Sequence, residues 1–258
     1  MKKILKSLGS TLLILAFWVA VWWLGAIRVE RELLLPSPLT VIKRLTELTL
    51  TVDFWLIVSR SILRVVLGIV LALFFGVLLA LLTSRVPFLR RLFTPLLSVI
   101  KATPVASFVI LVLLWLGASA LPVFISMLIV LPIIWAAVSD GIAAFDENLT
   151  EVCRVFRFSF GKRLRLFYLP TVAPYFLSAC KTSIGMAWKA GVAAEILAVS
   201  PISIGKQLFD AKNYLETPDV FAWTIVVILL SLVIEWLVTY SFQRLGQRYL
   251  RGNVNVAD

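Results

Sequence analysis

The chain has 258 residues and a mass of 28.8 kDa; 61% of its residues are apolar, 15% are charged, and its mean hydropathy is +1.00. Soluble domains run at roughly 45–50% apolar and about 25% charged, so this composition excludes an ordinary soluble globule, a disordered chain, a collagen and a disulfide scaffold, and leaves a polytopic membrane protein. The net charge of +11 falls in short segments between apolar runs, which reads as membrane orientation and not as nucleic-acid binding. There is no His, which removes the Ser-His-Asp triad, the Cys–His pair and His metal ligation. The two cysteines, Cys153 and Cys180, both fall on the predicted inner half of the molecule, so no disulfide, metal or cofactor is expected.

A spanning helix needs about 20 mostly apolar residues. The first predicted span is Ser10–Ile27, after Lys2, Lys3 and Lys6; no small-x-small cleavage site precedes Arg28, so it is expected to be retained. The following segment holds a helix start at Leu35-Pro36-Ser37-Pro38, with Ser37 as N-cap and Pro38 at the first helical position, and then Leu39, Ile42, Leu45 and Leu48 at helical spacing. Two readings fit this short helix: it lies on the outer membrane surface, or it packs against the bundle. The remaining predicted spans are Ile62–Leu82, Thr94–Leu116 broken by Pro104, Leu121–Val138, Thr171–Ala198 and Val220–Tyr240. The predicted fold class is an all-α membrane protein of six transmembrane helices forming one domain, 1–258.

Six spans put both termini on one side. The N-terminal tail, Thr83–Phe93, Ile142–Pro170 and Ser241–Asp258 together hold 14 Lys and Arg, against 6 in Arg28–Trp55 and Val199–Asp219. The richer side is expected to be cytoplasmic. That places the long basic segment Ile142–Pro170 in the cytoplasm. It carries two amphipathic helical patterns. The first is capped by Asp146 and repeats Leu149, Val152, Cys153 and Phe156; the second is capped by Ser159 and repeats Phe160, Leu164, Phe167 and Tyr168. Such helices either pack under the bundle or dock in a groove on a cytoplasmic partner, and the pattern alone leaves both open.

Glu151-Val152-Cys153, followed eighteen residues after Glu151 by Leu169-Pro170, resembles the EAA loop of ABC-importer permeases. Two departures stand out: Val152 and Cys153 replace two alanines, and Arg157 stands where that family has Gly. Arg meets a steric penalty at φ > 0, so the turn is expected either to differ in shape or to shift to Ser159–Gly161. Leu35-Pro36-Ser37-Pro38, Ser61-Ile62-Leu63-Arg64 with Gly68 and Gly76, Lys101-Ala102-Thr103-Pro104-Val105-Ala106 with Leu114-Trp115-Leu116-Gly117, and Trp188 with Ala193-Ala194-Glu195-Ile196 are similar, in order and spacing, to the nitrate/sulfonate/taurine-like group of that family.

The resemblance implies a type I importer permease fold with a cytoplasmic two-helix coupling loop, in a bacterial plasma membrane with both termini inside. It implies four kinds of partner: cytoplasmic ABC ATPase subunits, a second permease copy, an extracytoplasmic substrate-binding protein and membrane lipid. The chain has no G-x-x-x-x-G-K-[ST] loop, so it is not the ATPase and is not expected to be an enzyme. The residues expected to couple to the ATPase are Glu151, Val152, Cys153, Phe156, Arg157 and Ser159. Ionisable groups and kinks inside spans mark pathways or pairing partners, so Pro104, Lys181, Lys189 and Glu195 are candidate pathway residues for a small anionic or polar solute. Lys189 fits equally a headgroup anchor or the partner of an acid, and Glu195 a structural tie to neighbouring spans. A rival from another class is an ion-coupled secondary transporter with Lys181, Glu195 and Glu235 as its relay; a membrane enzyme is disfavoured by the lack of a catalytic cluster. Trp18, Trp22, Trp23 and Trp55 are read as interface anchors, with a cargo-stacking box as the alternative.

Overall fold

The structure is a computed structural model that describes residues 2–145 and 155–254, with side chains placed within 13–241 of those stretches except at 160. Every described element is helical: α1 Lys2–Val29, α2 Pro38–Thr49, α3 Val52–Arg85, α4 Pro87–Ala102, α5 Val105–Leu113, α6 Leu121–Ala143, α7 Phe160–Arg163, α8 Leu169–Ala198, α9 Ile204–Asn213 and α10 Thr217–Val254, with a π-turn over Leu164–Tyr168 joining α7 to α8.

By length and composition α3, α6 and the Thr217–Ser241 part of α10 can each cross a membrane, and α4 with α5 makes a fourth only if that bent pair counts as one span. The expected span Thr94–Leu116 is therefore not one straight helix. Its two halves meet at 106° across Thr103–Pro104. Pro104 has no N–H to continue the ladder, and its ring disfavours a helical residue before it. The expected loop Thr83–Phe93 is also absent: α3 runs to Arg85 and α4 starts at Pro87, leaving Val86 as the only link. α8 is long enough to span but carries Lys181, Lys189 and Glu195 among Ser, Thr and Gly, which lowers its hydropathy.

The core forms where α6 packs between α3 and α8. Val65, Ile69, Ala72 and Ala80 of α3, Val130, Ile134 and Val138 of α6, Ile184, Ala187 and Trp188 of α8, and Trp223 and Val226 of α10 belong to one buried apolar cluster. Small residues let the backbones approach closely: a Cβ at Gly68 would stand 2.5 Å from the Val123 carbonyl oxygen. At the other end of the same pair, Trp135 Nε1 donates to Thr83 Oγ1 at 2.9 Å.

The cap of α2 follows the sequence. Ser37 Oγ accepts from the Thr40 amide at 3.2 Å, with Pro38 first in the helix. Of the two readings for this helix the structure favours packing against the bundle: Val41 is fully buried, Leu45 and Leu48 touch the core, and Arg44 donates twice to Asp219 at the start of α10 (Nη2–Oδ2 2.9 Å). Asp219 beside it raises the Arg44 pKa beyond its already high value. Residues 13–29 of α1 stay largely exposed, and the helix is tied near its C-terminal end, where Trp22 Nε1 donates to the Pro36 carbonyl at 3.1 Å and the indole stacks on Phe221.

Candidate functional site

Two regions carry the candidate residues, one at each end of α8. Of the coupling residues, Glu151, Val152 and Cys153 lie outside the described residues. Phe156, Arg157 and Ser159 lie inside them, in the turn that leads into α7. Arg157 has φ +46°, so the left-handed turn stays at the position where the family has Gly; it does not move to Gly161, which is helical with no positive φ. The non-glycine cost of that conformation, about 1–2 kcal/mol, is met by a set of aromatic contacts around it. The Phe156 and Phe158 rings stack at 6.0 Å, Phe158 lies 5.9 Å from Phe167, and Phe145 stacks on Tyr168 at 4.3 Å. Arg163 Nε donates to the Phe158 carbonyl at 3.0 Å, and the Ser159 carbonyl accepts from the Arg163 amide at 3.0 Å, so Ser159 opens α7 as expected of a cap residue. Phe156 remains 68% exposed.

The π-turn after α7 has a local cause. Pro170 lacks an N–H, and its ring crowds the carbonyl four residues back, at Leu166. Widening the turn relieves that crowding: the Leu169 amide reaches back to the Leu164 carbonyl, five residues away. α7, the π-turn and α8 are thus one continuous helical body from Phe160 to Ala198, directly behind the aromatic turn.

At the far end of α8, Glu195 is fully buried. Its Oε2 accepts from Ser61 Oγ at 2.8 Å and from the Gly205 amide at 3.2 Å, and its Oε1 accepts from Arg64 Nη1 at 3.3 Å. Arg64 also donates to the Pro201 and Ile202 carbonyls at 2.7 and 3.4 Å, and Ser61 Oγ accepts from the Ile204 amide at 3.0 Å. The node ties α3, α8 and α9 together. It also holds the turn between α8 and α9, where Val199 and Ile202 both have φ +48°. Gly205 is needed for the approach, because a Cβ there would stand 2.3 Å from Glu195 Cβ. Ser200 Oγ extends the node to the α5–α6 connection by donating to the Ala118 carbonyl at 2.6 Å. A buried carboxylate is tolerable only when paired and hydrogen-bonded, and here the partners come from α3, which supplies Ser61 and Arg64, and from the Gly205 amide of α9.

The other candidate residues separate. Lys181 and Lys189 are exposed and share one face of α8, whereas Glu195 points into the node and faces no open space in the chain. Pro104 is exposed at the α4–α5 bend. Sequence reasoning missed Ser61 and Arg64 as partners of Glu195; the available signal was their i, i+3 spacing, which puts both on one face of α3.

The comparison with known proteins decides the family. Residues 68–247 match the family model described as "Binding-protein-dependent transport system inner membrane component". The chain belongs to this family. It is thus a membrane-embedded transport subunit of an ABC import system, whose ATPase is a separate subunit. It is 28% identical over 248 residues, 95% of this chain and 86% of the relative, to the permease SsuC of Bacillus subtilis (strain 168), whose name assigns it to aliphatic sulfonates. It is 21% identical to the taurine transport system permease TauC of Escherichia coli (strain K12), over 91% of this chain and 86% of that one. It is 26% identical to the bicarbonate transport system permease CmpB of Synechococcus elongatus, over 71% of this chain and 68% of that one. In three dimensions it resembles a crystal structure of an amino acid ABC transporter with histidines, with a TM-score of 0.56 at 16% identity, covering 73% of this chain and 94% of that one.

Proposed function

We propose that this permease works as one domain of six spans: α1, α3, the α4–α5 pair, α6, α8 and α10. Both termini and the segment 142–170 face the cytoplasm. The basic residues concentrated on that side support the orientation. Glu151, Val152, Cys153, Phe156, Arg157 and Ser159 dock in a groove on the ATPase subunit, with Phe156 as the apolar anchor. A second copy of the chain completes the pathway, and an external binding protein delivers the solute to the α2 side. Alternating access then follows from closure of the ATPase pair, which moves the docked turn and, through the continuous helix behind it, the bundle.

The observation that carries the solute reading is the face of α8. Lysines are costly in lipid and are kept in spans where they meet water, a partner or cargo. Lys181 and Lys189 stand exposed on one side of that helix. Sulfonates, taurine and bicarbonate, for which three relatives are named, each carry an anionic group, which supports a small anionic solute for this chain too. On this reading Lys181, Lys189 and the Pro104 bend line the pathway, and Glu195 holds the outer end of α8 beside it.

Labelling tests this. Lys181→Cys and Lys189→Cys, in the assembled transporter, are expected to react with a water-soluble, membrane-impermeant thiol reagent, at rates that change when ATP is bound. Unreactive cysteines at both positions in every nucleotide state would remove α8 from the pathway.

A further inference from the structure

Glu235 lies well inside the spanning part of α10 and is half-buried. Among the described residues nothing hydrogen-bonds to it, and no cation stands within 4.0 Å. Its carboxyl rests instead on the backbone of Gly185 in α8, where an added Cβ would stand 2.4 Å from Oε1 and 3.3 Å from Cδ. Any side chain but glycine's would displace it. The seat is held in place one turn away: Trp188, fully buried, donates Nε1 to the Val227 carbonyl of α10 at 3.1 Å.

Lys181 and Lys189 flank that seat. They lie four residues before and four after Gly185, so one is below it and one above it along the same helix, each about 6 Å along the axis. Cα–Cβ bonds tilt toward the helix N-terminus, so of the two it is Lys189 whose side chain starts toward the carboxyl. Two lysines on α8 and one carboxyl on α10 thus sit at neighbouring levels of two packed helices.

We infer that Glu235 is the built-in counter-ion of this lysine pair, and that the anionic head of the solute, a sulfonate or carboxylate, competes with it for Lys189. The inference rests on the pathway reading of α8. The charge balance gives the reason for such a group. Two uncompensated ammoniums at low dielectric would hold an anion too tightly to release it, and a conducting site must bind weakly enough to let go. One carboxylate on the neighbouring helix leaves a single net positive charge, which suits a singly charged anion. It also takes back the lysine when the solute leaves.

Binding of methanesulfonate, as the probe, to the transporter assembled with its ATPase subunits in lipid nanodiscs tests the assignment by calorimetry at constant ionic strength. Glu235→Gln is expected to tighten methanesulfonate binding at least fivefold. Gly185→Ala moves only the flexible tip of the carboxyl and is expected to shift affinity the same way. Lys189→Met is expected to weaken binding at least tenfold, and adding Glu235→Gln to it restores nothing. Unchanged or weaker binding in both Glu235→Gln and Gly185→Ala overturns the inference, as does a wild type that does not bind the probe. Should Glu235→Gln fail to assemble, Gly185→Ala decides alone. The cysteine labelling above separates the two failures: reactive Lys181→Cys and Lys189→Cys variants with no binding response sink the counter-ion alone, whereas unreactive ones sink the pathway reading beneath it.

Discussion

Glu195→Ala is the sharpest test of how this bundle is held. The substitution removes the acceptor for three donors at once: Ser61 Oγ, the Gly205 amide and Arg64 Nη1. Ser61 is fully buried and the Arg64 side chain is only 13% exposed, so water cannot readily replace the lost partner. Removing one member of a buried ion pair costs about 3–5 kcal/mol, because the remaining charge is left uncompensated. Arg64 keeps its bonds to the Pro201 and Ile202 carbonyls, which places the expected loss at the lower end, about 3 kcal/mol. At about 2 °C per kcal/mol for a chain of this size, the midpoint of thermal unfolding in nanodiscs should fall by about 6 °C. The same loss should appear as faster proteolysis of the turn between α8 and α9. Arg64→Met alone should cost less, and the double variant should cost less than the two separate losses together by about 1–3 kcal/mol. A Glu195→Ala midpoint within about 1 °C of wild type, or strict additivity with Arg64→Met, would refute the idea that the node holds α3, α8 and α9 together.

Three further outcomes are expected. Arg157→Gly removes the left-handed strain at φ +46° and should raise stability by about 1 kcal/mol, read as the unfolding midpoint; if the Arg157 side chain grips the ATPase, uptake falls while the midpoint rises. Phe156→Ala truncates a ring that is 68% exposed and should leave stability within about 0.5 kcal/mol, yet the ATPase subunits should no longer copurify; normal assembly and uptake would remove Phe156 from the contact. Asp219→Asn weakens the partly exposed pair with Arg44, whose side chain is 40% exposed, and should cost about 1 kcal/mol or less, a loss that shrinks as salt is raised.

What the sequence made legible was whatever depends on local chemistry. The Ser37–Pro38 cap, the break at Pro104 and the opening of α7 at Ser159 each follow from one residue's backbone preferences, and each appears where those preferences put it. The boundary between α3 and α4 did not, because Arg85, Arg90 and Arg91 read as a loop, whereas a helix tolerates such charges at its ends and needs only Val86 to turn. The node at Glu195 was invisible for a different reason: Ser61 and Arg64 are more than 130 positions away, and a pairing across that separation is set by how α3 and α8 pack. The same holds for Glu235, whose neighbour is the backbone of a glycine on another helix. The turn at Arg157 is the instructive case. Its residue type argued for a turn of different shape or one moved to Ser159–Gly161, but the aromatic contacts from Phe156 to Phe167 and the bond from Arg163 to Phe158 fix its position, and about 1–2 kcal/mol of local preference is too small to displace them.

These features share one helix, and that constrains how the molecule can move. From Phe160 to Ala198 the backbone is helical without a break, about 58 Å at about 1.5 Å per residue. A displacement imposed at the aromatic turn is therefore delivered along α8 as a rigid-body shift unless the helix bends. The π-turn at Leu164–Tyr168 and Pro174 give it two places to bend, both near the turn. Beyond them, the contact of Gly185 with Glu235, the Trp188 bond to α10 and the Glu195 node couple α8 to α10, α3 and α9 in turn. The lower end of α8 is thus the compliant part and the upper end the clamped part; Lys181 lies just before the first clamp contact and Lys189 inside the clamp. On the proposed coupling, a push at the turn therefore shifts Lys181 relative to α10 more than Lys189, which the Trp188 bond to the Val227 carbonyl and the Glu195 node hold on either side.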